Sequence, residues 1–431
     1  MAGAFNLESD DDTPIVEYAD RVLTRGELAR RAEDLTTFAR ANDVQRMMVH
    51  SDDPLHILRA IDAAVRSQAD LFIAHTNLPA AHINAIIETF AIGLVIGAED
   101  ALTGAPAGDA APTGRIFMMT SGTTGAPKIA AHDVEALMRR AKAAITPNNR
   151  GAKWLLTYQP TGFAGVQVQL TAAASGGVIV APAERSPAGF LQAARQSGVT
   201  QISATPTFWR SFLMTMRPGD LALRQVTLGG EAADQATLDR IRKAFPEARV
   251  THIYASTEAG VVFSVHDGLE GFPAAWLDQS NQGAQLRVRD GFLHILAPNA
   301  MQSYVSDNAQ PVLDDGWLAT ADRVELRGDR AFIVGRDDST INVGGSKVYP
   351  LAIEQFLLQQ TGVAEARVFG QPNPISGFLV AAEVVLDPGV DAAAARTAIL
   401  AACREALASY QVPRVFKIVD AIAVRESGKK G

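Results

Sequence analysis

Between Arg115 and Thr257 the chain alternates short β-branched runs with segments whose apolar residues recur at helical spacing. Arg115–Thr120 (RIFMMT) reads as a strand, and apolar residues at Val134, Leu137, Met138, Ala141 and Ile145 predict a helix after it. Further strands are predicted at Trp154–Tyr158, Gly177–Ala181, Val199–Ala204, Gln225–Leu228 and Arg249–Ala255. Helices over Pro187–Gln196, Phe208–Met216 and Ala236–Phe245 fall between them. Such alternation implies parallel strands joined by helical crossovers, an α/β layered core.

Past Gln285 the texture changes. Gln285–Arg289 and Phe292–Leu296 flank Asp290-Gly291, a strong hairpin signal, and Val324–Leu326 and Ala331–Val334 flank Gly328-Asp329 in the same way. A helix is predicted over Pro350–Gln360, strands around Ala366–Phe369 and Phe378–Leu386, an alanine-rich helix over Asp391–Tyr410 and a last strand over Arg414–Val419. This stretch reads as a small α+β domain of roughly a hundred residues.

Composition narrows the class. With 431 residues, two domains of unequal size are expected. Hydrophobic residues at 47% and charged residues at 20% fit a soluble globular protein. A net charge of −8 argues against a surface built to neutralise nucleic-acid phosphates. Cys403 is the only cysteine, which leaves no intrachain disulfide or cysteine-cluster metal site and fits a reducing compartment. The opening MAGAFNLESDDD has no apolar core, and the longest apolar run, around Val178 to Ala183, is far short of a membrane span. A cytoplasmic enzyme with neither nucleic-acid nor membrane partners is therefore expected.

The strongest chemical signal is Thr120-Ser-Gly-Thr-Thr-Gly-Ala-Pro-Lys128, between a predicted strand and a predicted helix. A glycine-rich turn there can wrap backbone N–H groups around phosphate oxygens. Gly122 and Gly125 permit the close approach. Ser121, Thr123 and Thr124 add hydroxyls and Lys128 a positive charge. It is no Walker A loop, because Ser or Thr does not follow the lysine and the glycine spacing differs. Taken alone, a polar surface turn would serve as well.

This loop resembles the phosphate-binding loop of the adenylate-forming superfamily, which includes acyl-CoA synthetases, aryl-acid ligases, nonribosomal-peptide adenylation domains and firefly luciferase. Five further motifs follow in the family's order. Leu228-Gly229-Gly230-Glu231-Ala232 resembles the segment whose backbone lines the adenine. Tyr254-Ala255-Ser256-Thr257-Glu258 resembles the Tyr-Gly-x-Thr-Glu motif. The resemblance implies that Tyr254 flanks adenine, Thr257 bonds the α-phosphate and Glu258 holds Mg²⁺, a hard cation suited to a carboxylate. Gly316–Asp322 resembles the region in which Asp322 accepts from both ribose hydroxyls. Gly335-Arg336-Asp337-Asp338 with Ile341–Gly345 resembles the interdomain hinge, with Arg336 near ribose or phosphates and Asp338 as pivot. Finally, Glu426-Ser427-Gly428-Lys429-Lys430 resembles the terminal Ser-Gly-Lys, so that Lys429 would be the catalytic lysine bridging the substrate carboxylate and the α-phosphate.

The resemblance covers roughly the last three quarters of the chain. It implies a large ATP- and acid-binding domain of layered mixed sheets with helices over residues 1–336, and a small mobile α+β domain over 337–431. Three positions depart from the pattern. Ala255 and Ala321 replace usual glycines, and Asn342 stands where lysine is common. None removes a charge the mechanism requires.

Implied with the family are ATP and Mg²⁺ as cofactors, a carboxylic acid as substrate, and an acyl carrier protein or coenzyme A as the thiol acceptor. Amino-acid-activating relatives place an aspartate near Pro160–Gly165; here the segment carries Phe163-Ala164 and no carboxylate, which favours a non-amino acid. Phe163, Gln167, Ala204, Phe208, Gly230 and Gly260 are the candidate pocket walls, and His132 is either a pocket or a structural histidine. An amino-acid-activating enzyme and an adenylate-binding protein without catalysis are the alternatives.

Overall fold

The computed structural model of the chain describes residues 3–5, 7–8, 10–103, 111–120, 128–277, 279–281, 283–297, 303–304, 315–374 and 376–423. The β-branched runs form the heart of an eight-stranded sheet. Its order is Gly260–Val265, Arg249–Ser256, Gln225–Leu228, Gln201–Ala204, Lys153–Leu155, Val178–Val180, Pro14–Glu17 and Val22–Thr24. Strands pair in parallel from Arg249–Ser256 to Pro14–Glu17, and one antiparallel strand closes each edge. Parallel pairing requires crossovers, and the intervening helices begin on side-chain caps: Ser186 for Pro187–Ser197, Thr205 for Pro206–Thr215 and Asp234 for Gln235–Ala244. Their apolar faces bury Phe190, Trp209, Phe212, Leu238 and Ile241 against Ile202, Val226 and Leu228.

A second, seven-stranded sheet gathers Arg46–Val49, Asp70–Ile73, Leu94–Ile96, Arg115–Thr120 and Lys128–Asp133, with short strands at both ends. The helices Pro54–Ser67, Val134–Ala143 and Phe163–Ala174 contribute to its core. One expectation is overturned here. The sequence puts the phosphate-loop candidate between a strand and a helix, but Lys128–Asp133 is itself a strand. It pairs antiparallel with Arg115–Thr120, and Thr120 faces Lys128 across the ladder. The loop is thus the connection of a β-hairpin, and the helix Val134–Ala143 starts six residues beyond Lys128, capped by Asp133.

A third, six-stranded sheet is antiparallel and holds both predicted hairpins. Asp290 (φ 54°) and Gly291 (φ 81°) both lie in the left-handed region that a two-residue type I′ turn requires. The five-stranded fourth sheet comprises Ile341–Val343, Ser346–Val348, Val363–Asn373, Gly377–Leu386 and Val415–Ile418. With helices Pro350–Leu358 and Ala392–Ala406 it encloses its own core of Ile353, Leu357, Val380, Ile399, Cys403 and Phe416. No helix among the described residues is long and apolar enough to cross a membrane.

Candidate active site

The parallel strands Gln225–Leu228 and Arg249–Ser256 end side by side, where open α/β sheets bind ligands. Gly229, Gly230 and Glu231 follow the first. Tyr158 donates its hydroxyl to the Gly229 carbonyl at 3.2 Å and fixes that backbone. Tyr158 lies beyond the strand, which stops at Leu155 rather than running to Tyr158 as the sequence suggested. Arg185 holds this extension in place: its guanidinium donates to the carbonyls of Thr157 at 2.6 Å and Tyr158 at 2.7 Å. Glu231 accepts from the Thr207 amide at 3.0 Å and its hydroxyl at 2.7 Å, so its carboxylate tethers the start of the helix Pro206–Thr215.

Arg249–Ser256 turns back into Gly260–Val265 through Thr257-Glu258-Ala259. Ser256 Oγ accepts from the Ala259 amide at 3.0 Å and shapes the turn. Glu258 stands in that turn. A single carboxylate there fits Mg²⁺, which takes its other ligands from phosphate oxygens and water. Tyr254 stacks on Phe263 with ring centres 5.3 Å apart and donates its hydroxyl to Asp322. Burial, reinforced by the Asp322 charge, raises the Tyr254 phenol well above its ordinary range, so it stays protonated and a donor.

Asp322 lies inside the strand Leu318–Arg327 rather than before one, and is mostly buried. Its cross-strand partner is Arg336, with Nη1 3.6 Å from Oδ1. A register shift between Arg323 and Val324 produces this pairing. Tyr254, Asp322 and Arg336, drawn from three motifs, therefore share one corner, beside the strand end that carries Thr257 and Glu258. Thr320 Oγ1 accepts from the Asp322 amide at 3.1 Å and donates to the Leu293 carbonyl at 2.7 Å, which holds the aspartate's backbone.

Among the proposed pocket walls, Phe163 and Gln167 lie one turn apart on the helix Phe163–Ala174, Ala204 ends its strand, and Gly260 begins the strand after the turn. The Phe208 ring is occupied otherwise: it stacks on Phe212 and meets Phe190 edge-on, each at 5.1 Å, as part of an aromatic cluster. His132 is buried with its ring 5.6 Å from that of Phe163, and burial, helped by the Arg140 charge, pushes its pKa down to about 4. Ser121 to Gly125 and Lys429 lie outside the described residues, as do the side chains of Thr120 and Asp338.

Sequence reasoning passed over Arg210. It is buried, with Nε 2.7 Å from Glu365 of the fourth sheet and Nη1 2.9 Å from Asp234, the cap of the helix Gln235–Ala244. Only its place on an otherwise apolar helix face (PTFWRSFLMT) hinted at a buried partner.

Two family models match the chain, that of the AMP-binding enzymes over residues 109–290 and that of their C-terminal domain over 352–429. A 3-[(3aS,4S,7aS)-7a-methyl-1,5-dioxo-octahydro-1H-inden-4-yl]propanoyl:CoA ligase of Rhodococcus jostii is 30% identical over 72% of this chain and 62% of its own. A 2-succinylbenzoate–CoA ligase of Bacillus subtilis is 27% identical over 73% of this chain and 66% of its own. The chain thus spans under two thirds of the length of both relatives. An anthranilate CoA ligase solved with anthranoyl-AMP superposes with a TM-score of 0.82 at 17% identity, covering 99% of this chain and 95% of that one. In motif order, in fold and in the grouping of Tyr254, Asp322 and Arg336, the chain belongs to the adenylate-forming superfamily of AMP-binding enzymes.

Proposed function

We propose that this protein activates a non-amino carboxylic acid with ATP and then passes the acyl group to a phosphopantetheine thiol, of coenzyme A or a carrier protein. The observation that carries the reading is the Tyr254–Asp322–Arg336 corner beside the Thr257–Glu258 turn. An aspartate oriented by a phenol and a guanidinium suits a ribose diol, and a carboxylate one turn away suits a phosphate-bound cation.

In the first half-reaction a substrate carboxylate oxygen attacks the α-phosphorus, the bond to the bridging oxygen breaks, and pyrophosphate leaves. Two anions must meet, so positive charge and N–H donors have to be fixed beforehand. Lys128, the N–H groups of residues 121–125 and Lys429 would supply them. Thr257 would donate to an α-phosphate oxygen, and Asp322 would accept from the ribose hydroxyls. Mg²⁺ on Glu258 would neutralise charge on the phosphates. In the second half-reaction the thiol sulfur attacks the acyl carbon, the thiol proton is lost, and AMP leaves. Residues 337–431 would swing about Asp338 between the two steps.

The two curated relatives are ligases to CoA of acids that carry no amino group, whereas the solved anthranilate ligase takes an aryl acid that does. Phe163-Ala164, where an amine-binding aspartate would stand, supports the proposed restriction. The test is acid-dependent pyrophosphate exchange into ATP across aryl, short-chain, long-chain and amino acids. Exchange with at least one non-amino acid is expected; exchange with amino acids alone, or with none, overturns the reading.

A further inference from the structure

Buried nitrogens without a hydrogen-bond partner occur on the helix Val134–Ala143 and on the segments that adjoin it. Among the described residues, both terminal nitrogens of Arg140 are buried with no hydrogen-bond partner, and so are the Nε2 atoms of His132, Gln159 and Gln167. These side chains belong to adjoining segments. His132 is on the strand leading into that helix and stacks on Phe163. The helix packs against Phe163–Ala174, where Gln167 sits one turn after Phe163. Gln159 precedes that helix in the loop whose carbonyl lies against Gly165.

Arg140 is placed by its contact with Gly260. A Cβ on Gly260 would lie 2.3 Å from the Arg140 Cζ, so the guanidinium rests directly on the residue two beyond Glu258. Its neighbour Arg139 has Glu135 as a partner at 3.8 Å, but no acidic side chain among the described residues pairs with Arg140. Burial lowers its pKa to about 10, which leaves it a full cation at neutral pH. An uncompensated buried cation costs several kcal/mol. Proteins keep such a group where a ligand supplies the counter-charge. The Arg140 and glutamine nitrogens are all donors, so the missing partner is rich in acceptors.

Resting on the adenylation reading, we propose that Arg140 anchors a second acidic group of the substrate, so that the enzyme's acids carry a further carboxylate. The reacting carboxylate belongs near Lys128, where the phosphates gather. His132 stands four residues further along the same strand, about 13 Å away. An acid spanning that distance presents its second acceptor to the unpaired donors. A guanidinium fork matches a carboxylate in two parallel hydrogen bonds, which an uncharged acyl chain cannot offer. The same fork would also accept a phosphate of ATP, and the experiment separates the two sources.

Pyrophosphate exchange is measured with matched pairs of graded length: octanoate and suberate, decanoate and sebacate, dodecanoate and dodecanedioate. For at least one pair, kcat/KM is expected to favour the dicarboxylate by about tenfold or more. Arg140→Met should collapse that ratio by about 10²-fold through the KM of the diacid, the scale for losing one partner of a buried charge pair. The KM for ATP should stay put, and Arg140→Lys should recover part of the ratio. Thermal unfolding confirms that the variants fold. A wild-type preference for the uncharged acid in every pair overturns the anchor, as does an equal loss on both acids or a raised KM for ATP. Exchange with no acid at all overturns the adenylation reading beneath it.

Discussion

Asp322 carries the demands of the site in one side chain. It is mostly buried, accepts from the Tyr254 hydroxyl and faces Arg336 across a β-ladder, so its carboxylate is oriented before any nucleotide arrives. Asp322→Asn keeps the shape and removes the charge. The KM for ATP is expected to rise about 10- to 100-fold, the scale of a charge-assisted hydrogen bond, with KM for the acid little changed. An unchanged KM for ATP would remove Asp322 from the nucleotide site. Lys429 is assigned by its place in a terminal Ser-Gly-Lys, and its substitution separates the half-reactions. Lys429→Ala should slow adenylate formation by about 10²- to 10³-fold, typical of one preorganised charge. Transfer from supplied acyl-adenylate to the thiol should survive, and equal loss in both steps would contradict the assignment.

At the scale of elements, periodicity found what local chemistry controls. The strand Gln225–Leu228 was legible to the residue, and the turn at Asp290-Gly291 was readable because few sequences tolerate two successive left-handed residues. Lys128–Asp133 was not legible as a strand. Its alanines at 130 and 131 carry no β signal, and its strand character comes from pairing with Arg115–Thr120. The meeting of Asp322 with Arg336 was hidden for a related reason. Counting back from the Gly328-Asp329 turn without the register shift sets Asp322 opposite Gly335, and one extra residue on the opposite strand, Val334, brings Arg336 across. Arg140 went unnoticed because the sequence says nothing of what covers it. The turn at Thr257–Ala259 offers a test at this scale. Gly260 has φ 69°, and a methyl group there collides with the Arg140 guanidinium. Gly260→Ala should lower stability by about 1–3 kcal/mol, from strain at that dihedral, and should depress pyrophosphate exchange by displacing Glu258. A variant with native melting temperature and native exchange would contradict this account of the turn.

Across the whole molecule, the fourth sheet docks on the first through charge as well as packing. Arg210 reaches Glu365, and Arg240 reaches Asp387 at 2.9 Å and the Val363 carbonyl at 2.9 Å. The Arg210 pair is fully enclosed, so removing one member leaves a buried charge short of a partner. Glu365→Ala leaves Arg210 its bond to Asp234, so the docking is expected to weaken by about 1–3 kcal/mol. Differential scanning calorimetry should show an earlier transition, and limited proteolysis should cut faster near residues 337–341; unchanged behaviour in both would mean that the ion pair does not hold the sheets together. On the proposed reading the same docking matters for catalysis, because Lys429 would act only where residues 337–431 bring it to the corner built by Tyr254, Asp322 and Arg336. The central claim is that these pieces converge on the α-phosphorus of ATP. The most direct measurement is the identity of the products from ATP labelled in its outer phosphates, turned over with an accepted acid and a pantetheine thiol. The account predicts AMP and labelled pyrophosphate in equal amounts, matched by thioester, whereas ADP and labelled orthophosphate would contradict it.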